Sequence, residues 1–581
     1  MKFGVTLRGR AGRLGLSLAF PALLFLACGR SPGFPAEFQT ELGGSVLYCS
    51  SRDTAGGLLD FGKAPRRRSL EIRLEPPLAL PPDVSLSLEY GLKPSPEGTP
   101  LPPPEGGELV LRCSGGLLPD DGAPSFVLPW DGTSFGFSAG EAGDSGSFRY
   151  EVPLTGNSLA ALSITPVLNE GGGVPGAVKE NAPVLEIRSL KIVPRWYGLE
   201  RDRRGLSLTP FVFALPGGLG LELPAEFAIP RGELLIRSRG LVRLSVESLS
   251  LEGPPLEGEF RVIPGLFPSP LRRAAVEAEG LESLRLASSP PRLFPEPIPL
   301  DPALILDYPR SSWRREDYEV FRWEGFPSLL IFDTGSYAVQ DRLFKRLAFF
   351  VEKAGWRGRL AGDEEIAGQH GWNAHDYRAQ DLARFFDAAR LASFPLLPEE
   401  RELEAVLFDA LIIRREGDGI VPGAGGIISI SRESEGYLRG LFMAHEGFHG
   451  IFFIDEDFRE FSRRRWENLE PAARRFIISY FDYQHYDIRD EYLMVNEFMA
   501  HVLQQPVSRA GRYFGETLAS RIDASPWRRT VLPEKDESTG TWPALADLFI
   551  AEARAFDAYA AGRWGLGAGR VHRIRVRKDP A

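Results

Sequence analysis

Cysteine is scarce in this chain, three in 581 residues, and methionine and histidine are little commoner at four and seven. So few thiols exclude a cysteine metal cluster, and they leave Cys49 and Cys113 for at most one disulfide once Cys28 is set aside. No phosphate-cradling glycine loop and no serine nucleophile elbow occurs either. A net charge of −10 gives no encouragement to nucleic-acid binding, and local clusters such as Arg66-Arg67-Arg68 and Arg463-Arg464-Arg465 read as solvated faces. Beyond the amino terminus no apolar run is long enough to cross a bilayer.

What is present begins with an export signal. Lys2, Arg8, Arg10 and Arg13 precede the apolar run Leu14 to Ala27, which is short for a membrane span and is broken by Pro21. Phe25-Leu26-Ala27-Cys28-Gly29 then resembles a bacterial lipobox, with Phe where Leu is usual. That resemblance implies a signal peptide over 1–27, lipid modification of Cys28, a tether over 28–65, and an extracytoplasmic body anchored to a bacterial membrane. Simple secretion is the alternative.

Composition changes along the chain. Before about residue 290 it is rich in Pro, Gly and short alternating runs, and later it carries long helical patterns. Ser69 to Leu74, Val84 to Tyr90, Glu108 to Cys113, Ser147 to Val152 and Ala160 to Val167 read as strands. Val184 to Val193 closes the set, its alternation slipping at Arg188-Ser189 as at a bulge. They predict a β-sandwich over 66–195 that resembles jelly-roll carbohydrate-binding modules, which implies a glycan as its ligand. A second all-β unit over 196–290 reads as a spacer, with Leu234 to Ser238, Leu241 to Leu251 and Glu259 to Ile263 as strands. The proline-dense Ser288 to Pro299 predicts a stiff linker, placed at 291–310.

Beyond it, Leu329 to Thr334 predicts a buried strand and Tyr337 to Glu352 an amphipathic helix. Strand Arg357 to Leu360, helix Asp376 to Leu391, helix Glu399 to Ala410 and strand Leu411 to Arg414 continue an α/β alternation. Gly423-Ala424-Gly425-Gly426 then leads into strand Ile427 to Ser431. The tract Gln369 to Arg378 is dense in aromatic and polar groups. It reads as a helix start, with Asn373 or His375 as the first element and Trp372 packed on it, against the sharper alternative of a second metal site or a substrate pocket.

The chemistry is concentrated in His445-Glu446-Gly447-Phe448-His449. Ser434 and Glu435 suit a helix start, the run Tyr437 to Ala444 leads into the motif, and Ile451-Phe452-Phe453 follows it. Residues four apart on a helix share a face, so both imidazoles can hold one Zn²⁺ while Glu446 handles the proton of an attacking water. Gly447 and Gly450 each weaken that helix by about 1 kcal/mol relative to Ala, so backbone or substrate is expected to pass close by. A catalytic zinc takes a third protein ligand. Asp490 to Leu503 predicts a second buried helix, ended by Gln504-Gln505-Pro506, and Glu497 is its best candidate, with Glu491 and His485 weaker substitutes.

These two helices resemble those of the gluzincin metallopeptidases, in which an HExxH helix is followed by one bearing a ligand Glu, often preceded by Asn and followed three residues later by a small residue. Asn496-Glu497-Phe498-Met499-Ala500 has that form. The resemblance covers about the last half of the chain and is specific only at these helices. The spacing from His449 to Glu497 exceeds that of thermolysin and suits members with inserted helices, here Phe458 to Trp466 and Pro471 to Tyr480. It implies an α+β zincin-like domain over 311–581, Zn²⁺ on His445, His449 and Glu497, and Glu446 as general base in hydrolysis of a protein or peptide. An endopeptidase is favoured over an aminopeptidase, because no Glu-Asn pair follows the glycines at 423–426. In such enzymes the strand before the motif helix, here Ile427 to Ser431, is the sheet edge to which an extended substrate adds. His501 stands where thermolysin-like members carry an acid, and stays open between alternative ligand, transition-state donor and satisfied core histidine. The oxyanion donor is equally open within Tyr483 to Arg489, His485 and Tyr486 included, and ordinary surface polarity explains that tract as well. The competing reading is a non-catalytic surface lipoprotein, an adhesin or glycan binder with a structural zinc helix.

Overall fold

The structure is a computed structural model, and it describes residues 46–49, 58–60, 70–80, 83–93, 107–114, 125–128, 147–154, 158–168, 184–202, 205–247, 249–266, 270–369, 371–526 and 532–578. The expected signal segment, Cys28 and most of the expected tether lie outside the described residues. The chain divides into two compact units, Met1–Trp130 with Leu154–Ile192, and Asp131–Pro153 with Val193–Ala581. It is multidomain, with many β-sheets in its N-terminal half and a helical C-terminal part.

In the first unit, Val46–Cys49, Leu70–Ala79, Ser158–Leu168, Gly107–Ser114 and Ser125–Leu128 form an antiparallel sheet in that spatial order. The ladder slips between Arg73 and Leu78, where Pro76 and Pro77 have no N–H to donate. Cys49 pairs with Ile72, Ile72 with Leu162, and Leu162 with Cys113. The two cysteines therefore share a row three strands apart, about 14 Å at ~4.8 Å per strand, twice the ~7 Å reach of a disulfide.

In the second unit, a six-stranded antiparallel sheet runs Val212–Leu215, Gly218–Glu222, Arg273–Ala278, Val242–Val246, Leu249–Gly253 and Arg575–Lys578. Val242–Val246 buries every second residue, the two-residue period of a half-covered strand. The single strand expected over Leu241 to Leu251 is instead a hairpin, because Glu247 takes φ +50° and turns the chain. No Gly, Asn or Pro marks that turn.

The stretch expected as a linker is built into the fold. Ile298–Leu300 pairs in parallel with Tyr318–Trp323. Asp301, buried, caps the helix Pro302–Asp307 by accepting from the Ala303 N–H at 3.0 Å, and also accepts from the Arg573 N–H at 3.0 Å.

The site is carried by a five-stranded sheet in the order Ile298–Leu300, Tyr318–Trp323, Leu329–Thr334, Gly426–Ser431 and His375–Arg378. Alternation along the strands sorts their neighbours. Leu330, Phe332 and Ile427 pack with Leu343, Phe344, Leu382 and Leu403 from the helices Tyr337–Val351, Ala379–Leu391 and Pro398–Asp409. Leu329 and Ile428 face the opposite way, onto the motif helix Gly436–Ile454. A Cβ on Gly450 would lie 2.9 Å from Leu329 Cδ1, and one on Gly447 3.1 Å from Val571 Cγ1. Packed side chains, rather than backbone or substrate, thus account for both glycines. Asp333, fully buried, accepts a two-pronged bond from Arg439 at 2.9 and 3.2 Å and another from Arg432 at 2.7 Å, which ties the start of the motif helix to the sheet.

Two local expectations are corrected. Arg357 to Leu360 is not a strand, since Gly355 and Gly358 take φ +81° and +73° and the chain turns repeatedly there. His375–Arg378 is a strand and not a helix start, the helix beginning only at Ala379. This strand pairs antiparallel with Gly426–Ser431. The strand before the motif helix is therefore paired on both sides, and among the described residues the sheet ends at His375–Arg378. No helix among the described residues is long and apolar enough to cross a membrane.

Candidate metal centre

The motif helix Gly436–Ile454 and the helix Glu491–Leu503 bring together the residues the sequence singles out. The second helix starts at Asp490, whose carboxylate accepts from the Leu493 N–H at 3.2 Å and so sets the phase that turns Glu497 inward. His445 Nε2 and His449 Nε2 stand 3.1 Å apart. The Glu497 carboxylate reaches them at 3.7 and 3.8 Å. Four ligands at about 2.0–2.1 Å around a tetrahedral zinc would stand about 3.3 Å from one another, so the spacing fits. Glu497 Oε2 has no hydrogen-bond partner although it is buried, which marks it as an acceptor in want of a cation. Two imidazoles and one carboxylate are also a donor set that zinc favours.

Burial dominates the electrostatics. It pulls the His445 imidazole down to about 4, which keeps a ring lone pair free near neutrality. It pushes the Glu497 carboxyl up to about 7, with His449 and a Tyr486 hydrogen bond working in the other direction. Glu446 is driven well above the ordinary carboxylate range by burial and then by the nearby Asp376, Glu497 and Glu352. Glu352 is raised by burial and then by Asp376 and Glu497. Four acids packed this closely, with no lysine or arginine paired with Glu446 or Glu497 among the described residues, suit a divalent cation.

Sequence reasoning missed Asp376 and Glu352. Asp376 Oδ2 lies 3.7 Å from His449 Nδ1, and Asp376, Glu446 and His449 form a second close group of potential ligand atoms. Strand alternation explains the placement. His375 and Tyr377 turn toward Phe344 in the helical layer, while Asp376, opposite Ile428, shares the face that meets the motif helix. The density of the tract around it was the available signal, and reading the tract as helix concealed its two-residue period. Glu352 follows the helix Tyr337–Val351 and accepts from Trp372 Nε1 at 2.7 Å. Trp372 in turn stacks on Tyr486, with ring centres 5.1 Å apart, rather than on a helix start.

The remaining candidates separate clearly. Tyr486 is drawn in, its hydroxyl bonding Glu497. His485 is exposed with φ +67°, and Glu491 is exposed at the start of its helix, so neither joins the cluster. His501 packs edge-on against His445 at 5.0 Å. Its Nδ1 bonds the Tyr513 hydroxyl at 2.7 Å, and its Nε2 faces Glu497 at 3.9 Å. A cavity of about 30 Å³, bordered by Glu352, Asp376, Arg378, Asn496 and Glu497, opens beside the centre. That is room for a water or two.

No protein-family model matches the chain, and no curated protein does.

Proposed function

We propose that this protein is a zinc-dependent peptidase of the zincin type, cleaving peptide bonds in extracytoplasmic proteins or glycoproteins. The observation that carries this reading is the convergence of His445 Nε2, His449 Nε2 and the Glu497 carboxylate at zinc-ligand spacing, with Glu446 buried beside them. A purely structural zinc has no use for a buried acid at that position, which counts against the non-catalytic alternative. Zinc, when bound, supplies the Lewis acid that polarises the scissile carbonyl and acidifies a water. Glu446 takes the proton of the attacking water and hands it to the leaving amine. His501, whose Nε2 faces Glu497, is the donor available for the developing oxyanion, since the one proton of the Tyr486 hydroxyl is already given to Glu497. An extended substrate adds along the outer edge of His375–Arg378.

The test is Glu446→Gln, assayed on an unbiased peptide library. Cleavage is expected to fall by about 10²–10⁴-fold while the zinc content stays at the wild-type level. A variant that holds zinc and cleaves normally contradicts the mechanism. The reading keeps the lipid anchor at Cys28, for which labelled palmitate should enter the wild-type chain and not Cys28→Ser; equal labelling of both contradicts it.

A further inference from the structure

We propose that Asp376 is the positioning residue of this centre, a single carboxylate delivered by the outermost strand that orients His449 through its Nδ1 and holds Glu446 in place. The inference rests on the zinc reading above.

His449 is fully buried and its Nδ1 has no hydrogen-bond partner. A histidine that offers Nε2 to a cation carries its proton on Nδ1, and that buried N–H then requires an acceptor. Asp376 Oδ2, 3.7 Å away, is the carboxylate that stands there. The gap is too long for a hydrogen bond, so loading the centre is expected to draw the two groups together. His501, one turn beyond Glu497, does not take this role, because its Nδ1 is committed to the Tyr513 hydroxyl and its ring meets His445 instead.

Asp376 also touches the general base. Its carboxyl group lies beside that of Glu446, and Asp376, Glu446 and His449 offer ligand atoms within 4.8 Å of one another. Glu352 and Glu497 are the other acids that face it. Little of the strand's own stability depends on this side chain. His375 and Tyr377 pack into the helical layer, and Arg378 pairs with Asp381 at 2.7 Å. Asp376 thus links a metal ligand to the proton carrier.

The experiment compares full-length wild type, the near-isosteric D376N, and D376A by zinc competition against a chromophoric chelator, by cobalt absorption, and by proton resonance of the zinc-loaded His449 Nδ1–H. Zinc binding should weaken by about 10–100-fold in D376A and less in D376N, whose amide oxygen still accepts a hydrogen bond. The four-coordinate cobalt spectrum should persist, and the His449 N–H signal should shift or broaden by exchange. Affinity within twofold of wild type in both variants, with an unmoved N–H signal, overturns the proposal. Loss of the four-coordinate spectrum in D376A also overturns it, since Asp376 would then be a ligand. Wild-type protein that takes up no zinc defeats the parent reading instead, so the two failures are told apart. If D376A fails to fold, the D376N measurements decide.

Discussion

Glu400 illustrates how burial sets behaviour at the scale of one residue. Burial lifts its carboxyl from 4.5 to about 7, even though the Leu397 N–H at 2.8 Å and Arg346 at 3.3 Å work in the other direction. Between those two values the folded chain holds a proton that the unfolded chain has released. The stability from this group is therefore complete below pH about 4.5 and is lost as pH rises through about 7. Glu400→Gln removes that dependence, and Arg346 keeps Asp363 at 2.7 Å as its partner. The melting temperature of the variant relative to wild type should rise between about pH 5 and pH 8; a difference that stays flat or shrinks contradicts the assignment. At this same scale the centre was largely legible. His445, Glu446, His449 and Glu497 are encoded by spacing within two helices, and spacing within a helix fixes a face. Asp376 is not encoded that way. Its face is set by pairing with Ile428, fifty-two positions on, and nothing local records the partner.

At the scale of elements, the motif helix fits its sheet through missing side chains. The place a Cβ would take at Gly450 lies 2.9 Å from Leu329 Cδ1 and 3.5 Å from Ile428 Cγ2. Gly450→Val should destabilise the protein by about 1–3 kcal/mol through overpacking, read from urea unfolding. An unchanged or raised midpoint would mean that the helix does not bear on these strands. Long amphipathic helices were readable because their period repeats over several turns: Glu456–Glu467, Pro471–Tyr483 and Glu491–Leu503 lie where the sequence puts them. Short elements were less so. The strand Tyr318–Trp323 carries a fully buried Glu319, whose charge is met by Arg314 at 2.6 Å, and a buried ion pair obscures the apolar signature of a central strand. The hairpin at Glu247 was hidden for the converse reason, a turn made without Gly, Pro, Asn or Asp.

For the whole molecule, the sequence conveyed the order of β-rich and helical parts better than their connections. Compositional drift separates the two halves, yet the last strand, Arg575–Lys578, pairs with Leu249–Gly253, more than three hundred residues earlier. The proline-dense stretch near 298, expected as a stiff linker, supplies an edge strand and a capped helix. Proline density signals stiffness, and a stiff segment can be docked as readily as it can span. The candidate metal centre depends on this long-range assembly, since its two histidines, its glutamate and its neighbouring acids come from segments spread over more than a hundred residues. Its most direct test is anomalous diffraction at the zinc edge from crystals of the zinc-loaded protein. The expected result is one strong peak about 2.0–2.2 Å from His445 Nε2, His449 Nε2 and a Glu497 carboxylate oxygen; a map with no peak there, or with zinc bound only elsewhere, contradicts it.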